Sequence, residues 1–84
     1  IDIIATRDDI LAFVEVKTRG GRMIAEPREA VTASKQEKIR RTALLYLSEQ
    51  EGVSLQPRFD VVEVLLDGKT GRTLRVEHIE NAFT

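Results

Sequence analysis

The chain has no cysteine. A disulfide framework and a thiolate zinc site are therefore excluded. The composition fits a reducing compartment, so a cytoplasmic protein is expected. Aromatic residues make up only 5% of the chain, which disfavours reading single-stranded nucleic acid by stacking bases on rings. The one histidine, His78, falls in phase with Leu74 and Val76 and reads as structural. No apolar run approaches the roughly 18–20 residues of a membrane span, and no secretory leader is evident.

What is present is enough for one domain with a modest core. A chain of 84 residues buries roughly 60–65% of its unfolded surface. It opens on Ile inside an apolar run, so we expect a piece of a longer protein. The net charge of −1 argues against strong overall attraction to nucleic acid, but its distribution is uneven. In residues 1–16, Arg7 stands against Asp2, Asp8, Asp9 and Glu15, a net of −3. Residues 17–41 carry eight cations against three acids, a net of +5, and the remainder returns to −3. A polyanion held by the basic segment would pass close to the acids. The alternative is that these charges are scattered over solvated faces.

Periodicity and turn residues divide the chain. Ile1 to Ala5 reads as a strand, Arg7-Asp8-Asp9 as a turn and Ile10 to Lys17 as a second strand, together an antiparallel hairpin. The run Ile10-Leu11-Ala12-Phe13-Val14 predicts a central strand covered on both faces. Thr18 to Pro27, with Gly20-Gly21, reads as a flexible loop. Ser34-Lys35-Gln36-Glu37 has the form of a capping box, opening a helix that runs to about Glu51 before Gly52. On that helix Gln36, Ile39, Ala43, Leu47 and Gln50 share one face, so Gln36 lies at the start of the buried stripe. Arg58 to Leu66 is a third strand, Asp67 to Gly71 a turn, and Thr73 to Ile79 a half-exposed edge strand, after which Phe83 returns to the core. The order is β-β-α-β-β: an α/β fold with one helix packed on a four-stranded mixed sheet.

The chemistry concentrates at Phe13-Val14-Glu15-Val16-Lys17 and at Asp2. Strand side chains alternate faces, so Glu15 and Lys17 project from one side, and Asp2 sits on the neighbouring strand. Two carboxylates supply the hard oxygen ligands that Mg²⁺ or Mn²⁺ prefers, and the Val16 backbone carbonyl could add a third. Such a metal would activate water and stabilise charge on a phosphate oxygen. Lys17 would orient the water and stabilise charge, with general-base action second, because neighbouring carboxylates favour its ammonium form. The bland alternative is a surface salt bridge, worth about 0–1 kcal/mol. Asp60 shares a face with Val62 and Val64. It reads as a partner for Arg58 or a backbone cap, with a supporting role at the site as the alternative. Tyr46 reads as core.

The paired motifs Ile1-Asp2-Ile3-Ile4-Ala5 and Phe13-Val14-Glu15-Val16-Lys17-Thr18-Arg19 resemble those of the bacterial YraN-type family of uncharacterised endonuclease-like proteins. The likeness continues through Glu29-Ala30-Val31, Lys35-Gln36, Tyr46-Leu47, Arg58-Phe59-Asp60-Val61-Val62 and His78-Ile79-Glu80-Asn81-Ala82-Phe83. That family is similar to the PD-(D/E)xK superfamily of restriction endonucleases and Holliday-junction resolvases. The resemblance implies a restriction endonuclease-like core and a Mg²⁺- or Mn²⁺-dependent nuclease acting on DNA. It implies catalytic roles for Asp2, Glu15, Lys17 and Gln36, and metal binding by Asp2, Glu15 and the Val16 carbonyl. The basic stretch is expected to contact DNA through Arg19, Arg22, Lys35, Arg40 and Arg41, and the resemblance also implies a homodimer as one assembly. Residues 1–84 would then be a single nuclease-like domain without the family's upstream helix. The alternatives are a non-catalytic nucleic-acid-binding module on the same fold and an interaction domain pairing through an edge strand.

Overall fold

Residues 1–20, 31–50 and 54–84 are described here from a computed structural model. Two hairpins flank one helix, giving strand β1 (Ile3–Arg7), strand β2 (Ile10–Gly20), helix α1 (Ala33–Ser48), strand β3 (Gln56–Leu66) and strand β4 (Thr73–Phe83). The sheet order is β1-β2-β3-β4. Both hairpin pairs are antiparallel, and β2 and β3 are parallel, so the sheet is mixed as expected. α1 makes the crossover that a parallel pair requires.

Each turn has a local cause. Asp8 adopts a left-handed conformation (φ 54°), which a short polar side chain tolerates, and closes β1 onto β2. Between β3 and β4 the Asp67 carboxylate accepts from the Lys69 N–H at 2.7 Å, and Gly71 takes φ 73°. Asn81 takes φ 53° beside a register shift in the β3–β4 ladder, and this irregularity carries β4 on to Phe83, beyond the expected end at Ile79.

Three expectations are corrected. The helix is capped by Thr32, whose hydroxyl accepts from the Lys35 N–H at 3.2 Å, and not by Ser34. Val31 is buried against Ile39 and Val61, which brings the chain to the helix two residues sooner. α1 ends at Ser48; Gly52 lies outside the described residues. Thr18, Arg19 and Gly20 belong to β2 rather than to a loop, because parallel pairing continues to Gly20 opposite Leu66. Gly21 to Pro27 lie outside the described residues.

One face of the sheet carries the core. Leu11 and Phe13 pack with Ala43, and Val61 packs with Ile39 and Val31. The four aromatic rings form one row across the elements. Tyr46 meets Phe13 edge-on at 5.9 Å, Phe13 stacks on Phe59 at 5.8 Å, and Phe59 stacks on Phe83 at 5.1 Å. Since the chain has three Phe and one Tyr, every ring is engaged in packing. Tyr46 is core, as its position in the helix implied.

Candidate functional site

The side chains of β2 on the α1 side read Leu11, Phe13, Glu15, Lys17, Arg19. The first two are core, and charge begins where the aromatic row ends. The N-terminal turn of α1 lies over this boundary, where the Lys35 Nζ is 2.8 Å from the Glu15 Oε1. The charged residues thus occupy the carboxyl-terminal half of a parallel strand pair beside a crossover helix. Open α/β sheets bind ligands at this end.

Glu15 is only 5% exposed. Its Oε2 has no hydrogen-bond partner among the described residues, although the Ile1 nitrogen lies at 3.3 Å. Burial alone would raise the Glu15 pKa. The hydrogen bond and charge of Lys35 oppose it, and the carboxyl is held below its ordinary value. Asp2 sits just before β1. Its N–H donates to the Val14 carbonyl at 2.9 Å, and its Oδ2 accepts from the Val16 N–H at 2.8 Å. The β1–β2 ladder begins with Ile3 opposite Val14, and Asp2 lies just outside it, bonded to Val14 and Val16 of β2. The sequence places Asp2 within a strand from Ile1 to Ala5; β1 begins instead at Ile3, and the Asp2 carboxylate is taken up by the Val16 N–H just ahead of it.

Lys17 follows on the same face. The Lys35 ammonium and partial burial depress its pKa, against the pull of Glu15 and Asp2. Lys35, fixed on Glu15, has its own pKa raised by that contact. The sequence marks Lys35 as a nucleic-acid contact; its pairing with Glu15 depends on how α1 returns over the sheet. The Gln36 carboxamide donates to the Val31 carbonyl at 3.0 Å, at the helix entry. Arg40 and Arg41 lie near Glu37 on the helix surface, at 3.9 and 3.4 Å. Arg22 lies outside the described residues.

One acid at this face was missed. Glu63 is 7% exposed, and its Oε1 lies 3.0 Å from the Arg19 Nε. The signal was available: Phe59, Val61 and Glu63 share a strand face, and an acid that continues an apolar stripe is buried. Among the described residues, no group of three or more His, Cys, Asp or Glu is arranged to hold a metal ion.

The opposite sheet face holds a second polar cluster. The Asp60 carboxylate accepts from Arg58 Nε and Nη2, each at 2.9 Å, and from the Asn81 N–H at 2.9 Å, and lies 2.8 Å from the His78 Nε2. Burial would raise the Asp60 pKa, but Arg58, the Asn81 N–H and His78 together lower it. Asp60 and His78 therefore have the structural roles their positions suggested. Strand alternation places Asp60 on the far side of the sheet from Glu15, away from Lys17. A hollow of about 530 Å³ borders Arg58, Asp60 and His78 on this side, away from α1, and neither Asp2 nor Glu15 lines it.

Among the described residues, no helix is long and apolar enough to cross a membrane. Comparison with known proteins gives one consistent result. A family model described as "Uncharacterised protein family UPF0102" matches residues 1–64. A UPF0102 protein of Nocardia farcinica is 47% identical over 99% of this chain and 64% of its own length. One of Symbiobacterium thermophilum is 52% identical over 99% of this chain and 69% of its own length. The chain therefore spans about two thirds of the curated relatives it matches. On residues and spacing alike, this chain belongs to the uncharacterised protein family UPF0102.

Proposed function

We propose that the chain carries the core of a metal-dependent nuclease that hydrolyses DNA phosphodiester bonds, on a restriction endonuclease-like fold. The observation that supports this reading is the buried Glu15 with Lys17 on one face of β2, in the carboxyl-terminal half of the parallel strand pair, with the Asp2 carboxylate bonded to the Val16 N–H between them. Asp2 and Glu15, with the Val16 carbonyl, would hold Mg²⁺ or Mn²⁺. The bound ion would supply an activated water and neutralise charge on the phosphate. Lys17 orients that water and stabilises developing charge, and its depressed pKa suits proton transfer as a second role. Gln36, in the first turn of α1, would support the site. Arg19, Lys35, Arg40 and Arg41 would contact the phosphate backbone, with Arg22 contributing from outside the described residues. Two copies acting as a homodimer would cut both strands of a duplex.

The test uses the full-length protein with Mg²⁺ or Mn²⁺ on duplex, single-stranded, flapped and branched DNA. Cleavage of at least one form is expected. Lys17→Ala should lower it by about 10²-fold or more, and Glu15→Ala should abolish it. Cleavage unchanged in both variants would sink the site assignment.

A second reading is a non-catalytic nucleic-acid-binding module. It is favoured by the 2.8 Å contact between Lys35 and Glu15, which makes the acid part of an ion pair. In that case DNA binding survives Glu15→Ala and no substrate is cut.

A further inference from the structure

Glu15 is a carboxylate short of partners. Its Oε2 is buried with no hydrogen-bond partner among the described residues, with the Ile1 nitrogen at 3.3 Å. Asp60, buried on the other face, is the contrast. Arg58 engages both of its oxygens, His78 adds to one and the Asn81 N–H to the other. A buried carboxylate with an open oxygen calls for a cation. In this structure that cation is Lys35, whose Nζ lies 2.8 Å from the Glu15 Oε1. The two partners are not held alike. The Lys35 side chain is 44% exposed and that of Glu15 6%, so the ammonium can swing away on its flexible stem while the carboxylate stays. Lys17 also abuts Lys35, and neighbouring ammonium groups repel.

We propose that Lys35 is a placeholder on Glu15: its ammonium and a divalent cation compete for the same carboxylate, and Lys35, once released, contacts the DNA backbone. This rests on the nuclease reading and gives one residue two successive partners. The open Oε2 is the observation that fits a hard divalent cation at this carboxylate. Competition follows from charge, because two cations on one carboxylate repel, and more strongly where water is excluded. The exchange makes the DNA contact depend on the ion, since phosphate oxygens are acceptors for the freed ammonium.

The sign of one substitution separates competition from a structural salt bridge. Lys35→Met removes the charge and keeps a flexible stem. If Lys35 only holds Glu15 in place, its loss leaves divalent-ion affinity unchanged or weakens it; competition requires that affinity rise. Calorimetric titration of Mn²⁺ into the full-length protein, without DNA, is expected to show about tenfold tighter binding for Lys35→Met, and no such gain in a Glu15→Gln background. The second measurement is fluorescence anisotropy with a labelled duplex and a labelled four-way junction over a salt series, once with EDTA and once with Ca²⁺ in place of Mg²⁺. With EDTA, Lys35→Met should bind DNA as the wild type does. With Ca²⁺ it should bind more weakly, with the slope of log Kd against log salt lower by about one. Circular dichroism melts check folding, and Lys35→Gln serves where Lys35→Met does not fold. Mn²⁺ affinity unchanged or weaker in Lys35→Met, or a DNA-binding difference that is the same with and without Ca²⁺, would overturn this inference. A wild type that binds Mn²⁺ through Glu15 and cleaves DNA leaves the nuclease reading standing in that case. Failure of the wild type and of Lys35→Met alike to bind Mn²⁺ would overturn both.

Discussion

Asp60 shows how much one side chain can organise. It is 1% exposed, and it ties β3 to β4 through Arg58, His78 and the backbone of Asn81. Removing one partner from a buried pair leaves the other charge uncompensated. Asp60→Ala is therefore expected to cost about 3 kcal/mol in urea denaturation. The sign of its pH dependence follows from the lowered pKa. Stability from this carboxylate is fully present above the unfolded-state value near 4 and is lost as pH falls through the lower folded value. The gap between wild type and Asp60→Ala should thus shrink as pH falls below about 4; a gap that stayed unchanged through that acid range would contradict the assignment. Among the site residues, the facing of Glu15 and Lys17 needed only the alternation of a strand. The partners Lys35 and Glu63 needed the register of β2 against β3 and the path of α1, neither of which a local pattern contains.

The entry to α1 shows the same limit for an element. Thr32 and Ser34 both suit an N-cap, and Glu37 made Ser34 the better match to a capping box. Val31 decides between them: buried in the core beside Ile39 and Val61, it starts the first turn at Ala33. Thr32→Ala should lower stability by about 1 kcal/mol, while Ser34→Ala, a substitution at an exposed helical position, should change it by less than about 0.5 kcal/mol. Thermal or urea denaturation of the two single variants distinguishes the caps. The entry matters for the site because Lys35 reaches Glu15 only from this first turn.

For the whole molecule, the informative asymmetry is between the two sheet faces. The register puts Ile3, Val16, Val62, Val64, Leu74 and Val76 on the side away from α1. Ile3 is 50% exposed, Leu74 57% and Val76 60%. Apolar residues grouped in this way mark a contact surface. Relatives are about half as long again as this chain, which leaves room in them for a further element. The 84-residue chain by itself is expected to bind a hydrophobic dye and to associate as its concentration rises. The pair Leu74→Thr and Val76→Thr should reduce both while shifting the thermal midpoint by only a few degrees. Light scattering that shows no association in either protein would remove the face from consideration.

Several features were settled by sequence alone. Alternation and turn residues determined four strands, one helix and their order, because these depend on interactions a few residues apart. The same short-range rule put Glu15 and Lys17 on one side of a strand and made β4 an edge. The tertiary structure decided which charges meet. Lys35 joins Glu15, Glu63 holds Arg19, and Asp60 turns away from the site to bind His78. Each of these pairs spans residues distant in sequence and is fixed by strand register and helix return. The acid and lysine of β2 stand in the chain from the start; the neighbours that set their charge exist only once β3 and α1 are in place.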